Sequence, residues 1–138
     1  MLEEAKLREI AKQDKNSLIE FTGFKSGADL KNLILSAKAI VIPSICYDNM
    51  PLSLLDALHL GKIVIASKIG GIPEIIKDGI NGLLFEPGNE ESLKEKIKSL
   101  KEIDQESFSR EAIKSVSNLS LENNMQAVIE IYQKCLEK

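Results

Sequence analysis

Tryptophan is absent from this chain of 138 residues, and four Phe and two Tyr leave little for the stacking platforms that hold bases. There is one histidine, His59, and the two cysteines, Cys46 and Cys135, lie far apart with no CxxC pair. A structural zinc site and a disulfide scaffold are excluded on that ground. No apolar run approaches the roughly 18 residues that a membrane span needs. No cluster of Lys and Arg supplies the basic face of a nucleic-acid binder. Lys and Arg number 18 against 21 Asp and Glu, a formal net charge of −3. Nothing resembles a signal peptide, since Met1 leads straight into the charged LEEAKLREIAKQ; the expected compartment is cytoplasmic and reducing. What is present suits one domain of ordinary size: hydrophobic residues make up 43% and charged residues 28%.

The order of segments gives the fold class. Residues 2–13 carry Leu2, Ala5, Leu7, Ile10 and Ala11 at helical spacing. Asp14 to Ser17 reads as a turn, and LIEFT at 18–22, bounded by Gly23, reads as a strand. Residues 28–38 read as a helix. Ala39–Ile42 is an unbroken apolar run ended by Pro43, which fits a strand buried on both faces. Residues 51–60 read as a helix with Pro51 near its first turn and Gly61 just past its end. Ile63–Ala66 is a second buried strand, 72–77 a short helix, and 83–85 a short strand. Helices are expected at 89–102, 106–117 and 121–137. Strand and helix alternate, so the expected class is α/β. The expected architecture is a Rossmann-like parallel sheet of about four strands, with helices on both faces and a helical C-terminal tail. Neither a repeat nor a linker breaks the chain, which is expected to be a single domain over 1–138.

In such sheets ligands bind at the carboxyl ends of the strands. That directs attention to the loops 23–28, 43–50, 67–72 and 86–89. Ser53, Asp56 and His59 share one face of the 51–60 helix, at i, i+3 and i+6. A carboxylate in so apolar a helix is costly to bury unless partnered, and a ligand hydroxyl is one such partner. A satisfied buried aspartate or a solvent-facing stripe is the plainer reading of the spacing. A catalytic triad does not fit, because no G-x-S-x-G turn is present. The Gly70-Gly71 pair follows a strand and opens a helix, where glycines let backbone approach a ligand closely; a structural turn fits the same residues.

Residues 39–88 together resemble the donor-binding half of retaining glycosyltransferases of the GT-B fold, the "glycosyl transferases group 1" family. The elements that carry the resemblance are Pro43-Ser44, Asp48, Asp56-Ala57, Gly61, IVIAS, Gly70-Gly71-Ile72-Pro73-Glu74 and Asp78-Gly79-Ile80-Asn81-Gly82, in that order. IEFTGF upstream also matches, and the resemblance covers roughly residues 1–100.

The resemblance implies a role for each matched position. Asp48 stands where the family's first acid lies beside the donor sugar and acts in catalysis. Asp56 stands where the second acid bonds the ribose hydroxyls. The backbone of Asn49, Met50 and Leu52 approaches the sugar and diphosphate, with Ser44 beside it. Phe24, in the 24–28 loop, borders the nucleobase, and Gly70 and Gly71 line the donor. The implied reaction moves a sugar from a nucleoside diphosphate to an acceptor with retention at the anomeric carbon. It calls for no metal and no cofactor; the nucleotide sugar is the substrate.

Three departures from the family stand out. Both acids are Asp where the family usually has Glu, and each loses one methylene of reach. Pro51 stands where the family often has Gly or Pro, and a proline offers no N–H there. Ile63 replaces a frequent Pro. The resemblance also implies an N-terminal acceptor-binding half, an early Arg/Lys pair and two first strands that this chain does not contain. The expectation is part of a glycosyltransferase that does not transfer sugar alone, its partner being that N-terminal half. A non-catalytic binding module derived from such an enzyme is the alternative. Without the two strands, the 18–22 and 39–42 strands are expected to pair directly, or the exposed apolar edge to pair with a second copy.

Overall fold

The computed structural model describes residues 2–13 and 18–136. They fall into two compact units, one up to Lys31 and one from Asn32 onward. The turn expected at 14–17 lies outside the described residues.

The first unit holds α1 (Leu2–Gln13). Arg8 stitches it: Nε and Nη2 donate to Glu4 Oε1, one turn back, at 3.0 and 2.8 Å. The same guanidinium lies 4.5 Å from the ring centroid of Phe21, an attractive cation–π placement. The strand expected at 18–22 is not formed; residues 18–26 are neither helix nor strand. A β-rich segment holds as a strand only through a ladder partner and a covered face. Here Leu18 is fully exposed and Phe21 packs on Arg8 instead.

The second unit is built on a three-stranded parallel sheet, not the four strands expected. Its strands are β1 (Ala39–Ile42), β2 (Ile63–Ser67) and β3 (Leu83–Phe85), in spatial order β1-β2-β3. Ala39 pairs with Ile63, and Ile65 with Leu83. All five residues of β2 are buried, because both faces of the central strand are covered. Val64 and Ala66 face Leu54, Ala57 and Leu58 of α3 (Leu52–His59) and Ala112 and Val116 of α6 (Gln105–Val116). Ile65 faces the other way, with Leu83 and Phe85, toward Leu93 of α5 (Glu90–Ser99) and Phe108. Each fully buried Leu, Ile or Val among them contributes about 1.5–3 kcal/mol.

The helix ends explain the connections. At the end of α3, Gly61 N donates to Leu58 O and Lys62 N to Ala57 O, both at 2.9 Å, the paired bonds of a Schellman stop. Gly61 has φ +65° and a Cβ there would also run into Ser109 Oγ, so helix termination and packing demand glycine together. Lys62 Nζ then donates to the carbonyls of Leu35 and Ala37 at 2.6 and 3.1 Å, tying the end of α2 (Gly27–Ser36) to the start of β2. A one-turn helix, α4 (Ile72–Ile75), precedes β3. The C-terminal tail is helical as expected: α5, α6 and α7 (Leu121–Leu136). No helix among the described residues is long and apolar enough to cross a membrane.

Candidate functional site

Because the strands are parallel, their carboxyl ends lie together and the loops 43–51, 68–71 and 86–89 leave from one end of the sheet. The first two are locked onto each other. Gly71 N donates to Asp48 O at 2.9 Å. A Cβ on Gly70 would run into the Asp48 backbone, and one on Gly71 into the Asn49 carbonyl. Gly70 also sits at φ +59°, a left-handed conformation natural to glycine. Gly71 is at φ −81°, so the contact alone demands glycine there. This corrects the sequence expectation for the pair: the space above the two glycines is filled by the protein's own backbone, not left open for a ligand.

Docking fixes Asp48. Its Oδ1 accepts from Met50 N at 3.1 Å, an Asx turn that shapes the loop from within. The side chain is exposed, and Oδ2 has no protein partner among the described residues. Ser44 is half-buried; Asn49, Met50 and Leu52 are exposed, Leu52 at 75%. Leu54 N already bonds Pro51 O, while the amides of Leu52 and Ser53 head the helix without intrahelical acceptors.

Asp56 is exposed on α3, with no side-chain partner among the described residues. The polar stripe is therefore a solvent-facing one, and Asp56 is not the buried carboxylate that its apolar neighbours allowed. Leu54, Ala57 and Leu58 take the core face instead. His59 Nδ1 lies 2.9 Å from Leu55 O, its own helix, and no hydrogen bond joins it to Asp56 or Ser53 among the described residues. Phe24 belongs to the first unit and is 93% exposed.

The other motif residues hold structure. Asn89 Oδ1 caps α5 by accepting from Ser92 N at 3.0 Å, and Glu86 N donates to Ser92 Oγ at 3.2 Å. Buried Asn81 accepts from Lys77 N at 2.7 Å and donates to Ile75 O at 2.9 Å. Sequence reasoning passed over Ser67. It ends β2 at the loop end of the sheet, fully buried, and its Oγ has no hydrogen-bond partner. A hydroxyl closing the otherwise apolar strand IVIAS was the signal available.

The model of the family "glycosyl transferases group 1" matches residues 2–118. The chain belongs to that family. An uncharacterised glycosyltransferase of Methanocaldococcus jannaschii is 40% identical over 75 residues, covering 54% of this chain and 19% of that protein. A crystal structure of a glycosyltransferase from Rickettsia africae superposes with TM-score 0.82 at 26% identity, over 98% of this chain and 37% of that one. HepE of Anabaena, solved in complex with UDP and glucose, shares the fold with TM-score 0.79 at 23% identity, over 96% of this chain and 37% of that one. The chain thus spans well under half the length of these glycosyltransferase-family relatives.

Proposed function

We propose that this chain is the nucleotide-sugar-binding portion of a cytoplasmic, retaining glycosyltransferase. The observation that carries the reading is the locked loop pair, which holds an exposed Asp48 carboxylate at the carboxyl end of β1, directly ahead of the free amides of α3. Family membership supports it, as does the complex of HepE, of the same fold, with UDP and glucose.

In this reading the Asn49–Leu52 backbone and the α3 amides take the diphosphate, since unpaired N–H groups at a helix start favour an anion. Asp56, unpaired on α3, accepts from the ribose hydroxyls. Asp48 lies beside the sugar, where positive charge develops as the glycosidic bond to phosphate breaks. Gly70 and Gly71 form the floor that positions Asp48, and Ser44 stands at the start of the same loop. The acceptor is held by an N-terminal half, and transfer needs both halves; neither a metal nor a cofactor is called for.

The test is made on the complete two-half protein. Charge-assisted hydrogen bonds are worth about 1.5–3 kcal/mol, so Asp56→Ala should weaken nucleoside diphosphate binding about tenfold or more by titration calorimetry. Asp48→Asn should cut turnover strongly while binding stays near wild type. Unchanged affinity in a folded Asp56→Ala protein would remove the ribose assignment. Equal loss of binding and turnover in Asp48→Asn would make that residue a loop holder only. Sugar transfer by the 138-residue chain alone would overturn the need for a second half.

A further inference from the structure

We infer that a recess beside the Asp48 loop, walled by α3 and the first turns of α7, is a subsite for a neutral sugar ring. Its volume is about 460 Å³, within the range of small-molecule sites. Every wall belongs to the second unit of the chain. Met50, Leu55, Leu119 and Ala127 make an apolar floor. Asn118, Asn123 and Asn124 supply the polar groups.

The sequence brings these amides to one place. On α7, Asn123 and Ala127 stand at i and i+4, and Asn124 and Ala127 at i and i+3, so the three share a face. Ser120 Oγ accepts from Asn123 N at 3.2 Å, a cap that fixes where the helix starts. Asn123 Nδ2 donates to Asn118 O at 3.3 Å and ties the turn after α6 to α7. The carboxamides of Asn118 and Asn124 have no hydrogen-bond partner among the described residues. Asparagine is a poor helix former, and no side-chain bond within the described residues offsets Asn124 in α7.

The lining selects the class of ligand. A carboxamide both donates and accepts, as a sugar hydroxyl does, and an aliphatic floor suits the C–H face of the ring. Among the described residues no charged side chain lines the recess, so a phosphate finds no counter-charge there. A wholly apolar guest would strip water from the amides and return nothing. The inference deepens the donor reading, which gives the recess its place: Met50 N donates to Asp48 Oδ1 at 3.1 Å, and Leu55 directly precedes Asp56 on α3. A sugar ring in the recess therefore lies beside the carboxylate assigned to the reacting sugar. Donor and acceptor both offer such a ring, and the experiment separates them.

The experiment is an NMR titration of the intact 138-residue chain with the methyl glycosides of glucose, galactose, mannose and N-acetylglucosamine, and separately with UDP and UDP-glucose. At least one glycoside should move the side-chain amide signals of Asn118 and Asn124 and the methyl signal of Ala127, while UDP leaves them in place. Asn124→Leu keeps helix propensity and fills the recess. It should weaken that glycoside about tenfold, the order that one or two neutral hydrogen bonds are worth, with UDP affinity and circular dichroism unchanged. If UDP-glucose displaces the glycoside and UDP does not, the recess takes the donor's sugar. If the glycoside and UDP-glucose bind together, it takes the acceptor's. No shift with any glycoside up to its solubility limit, in a chain that binds UDP, would overturn the subsite alone. Undiminished glycoside affinity in Asn124→Leu would overturn it as well. Glycoside shifts in a chain that does not bind UDP would instead remove the donor reading and leave the subsite. If Asn124→Leu fails to fold, Asn118→Ala is read in its place.

Discussion

Asp48 and Asp78 begin alike: each uses Oδ1 to accept from a backbone amide, Met50 N at 3.1 Å and Leu84 N at 2.8 Å. From there they diverge. Asp78 also receives Lys96 Nζ at 2.9 Å on Oδ1 and 2.7 Å on Oδ2, a bridge from α5 to the turn before β3. Asp48 receives no cation among the described residues, and its side chain is exposed. Both belong to the segments that resemble the family, yet the surroundings give them different work. A carboxylate with both oxygens engaged within the protein holds a turn in place. One with an oxygen left over can serve a ligand. The loops differ in the same way: the 77–84 turn is closed around Asn81 and Asp78, while the 43–51 loop is held from below by glycines and open above.

The strongest way to break this contrast is to separate Asp48 from its floor. Gly71→Ala must push the 43–51 loop away, since its Cβ meets the Asn49 carbonyl. Overpacking of this kind costs about 1–3 kcal/mol, and backbone that cannot retreat puts this site near the top of that range. Urea unfolding should show that loss, and the complete enzyme should lose donor affinity with it. Gly79→Ala is the control: nothing lies within 4 Å of its Cβ, but φ is +78°, so only conformational strain of about 1 kcal/mol is expected. Equal costs for the two would mean that the loop contact is unimportant.

Much of the sheet was legible in the sequence. AIVI and IVIA lack polar alternation because helices cover both faces of a parallel sheet, and that is visible in a short window. LIEFT at 18–22 was misread because a strand is decided by its ladder partner, which no local window contains. The helix stop at Gly61 was legible, whereas its contact with Ser109 was not. Gly70 and Gly71 could be recognised as positions needing close approach. What approaches them is a loop that precedes them by a whole helix and strand, which no spacing rule encodes. The Ser53, Asp56, His59 stripe was readable as one face of a helix. Which face meets solvent was settled only by Leu54, Ala57 and Leu58 entering the core.

The closed turn can be opened from its centre. Asn81 is 3% exposed, and Asn81→Ala leaves the Lys77 amide and the Ile75 carbonyl without their side-chain partners. Unsatisfied buried groups cost about 1–3 kcal/mol, so a loss of about 2 kcal/mol is expected, below that of Gly71→Ala. Donor binding in the complete protein should stay near wild type, because the side-chain hydrogen bonds of Asn81 run to Lys77 and Ile75 and not to the Asp48 loop. A tenfold loss of affinity at unchanged stability would mean that this turn belongs to the site after all.

The smallest effect is the most diagnostic of what a closed acid does. Burial alone would raise the Asp78 pKa, but the hydrogen bond from Lys96, the Leu84 amide and the charges of Lys96 and Lys68 outweigh it and hold the carboxyl below its ordinary 3.8. A carboxylate whose folded pKa is depressed adds stability that is present above its unfolded pKa and is lost as pH falls through the folded one. Asp78 and Lys96 are 46% and 28% exposed, so water and salt screen the pair and its worth is under about 1 kcal/mol. Asp78→Asn removes the charge while leaving an oxygen for Leu84 N. Urea midpoints for wild type and Asp78→Asn should therefore differ slightly at neutral pH. The gap should begin to narrow as the pH falls below 3.8 and vanish only below the lower folded value, and it should shrink in high salt. Asp48→Asn has no cation to lose, so its unfolding midpoint should stay near wild type throughout. A gap that widens in acid for Asp78→Asn, or one of equal size for Asp48→Asn, would erase the distinction between the closed carboxylate and the open one.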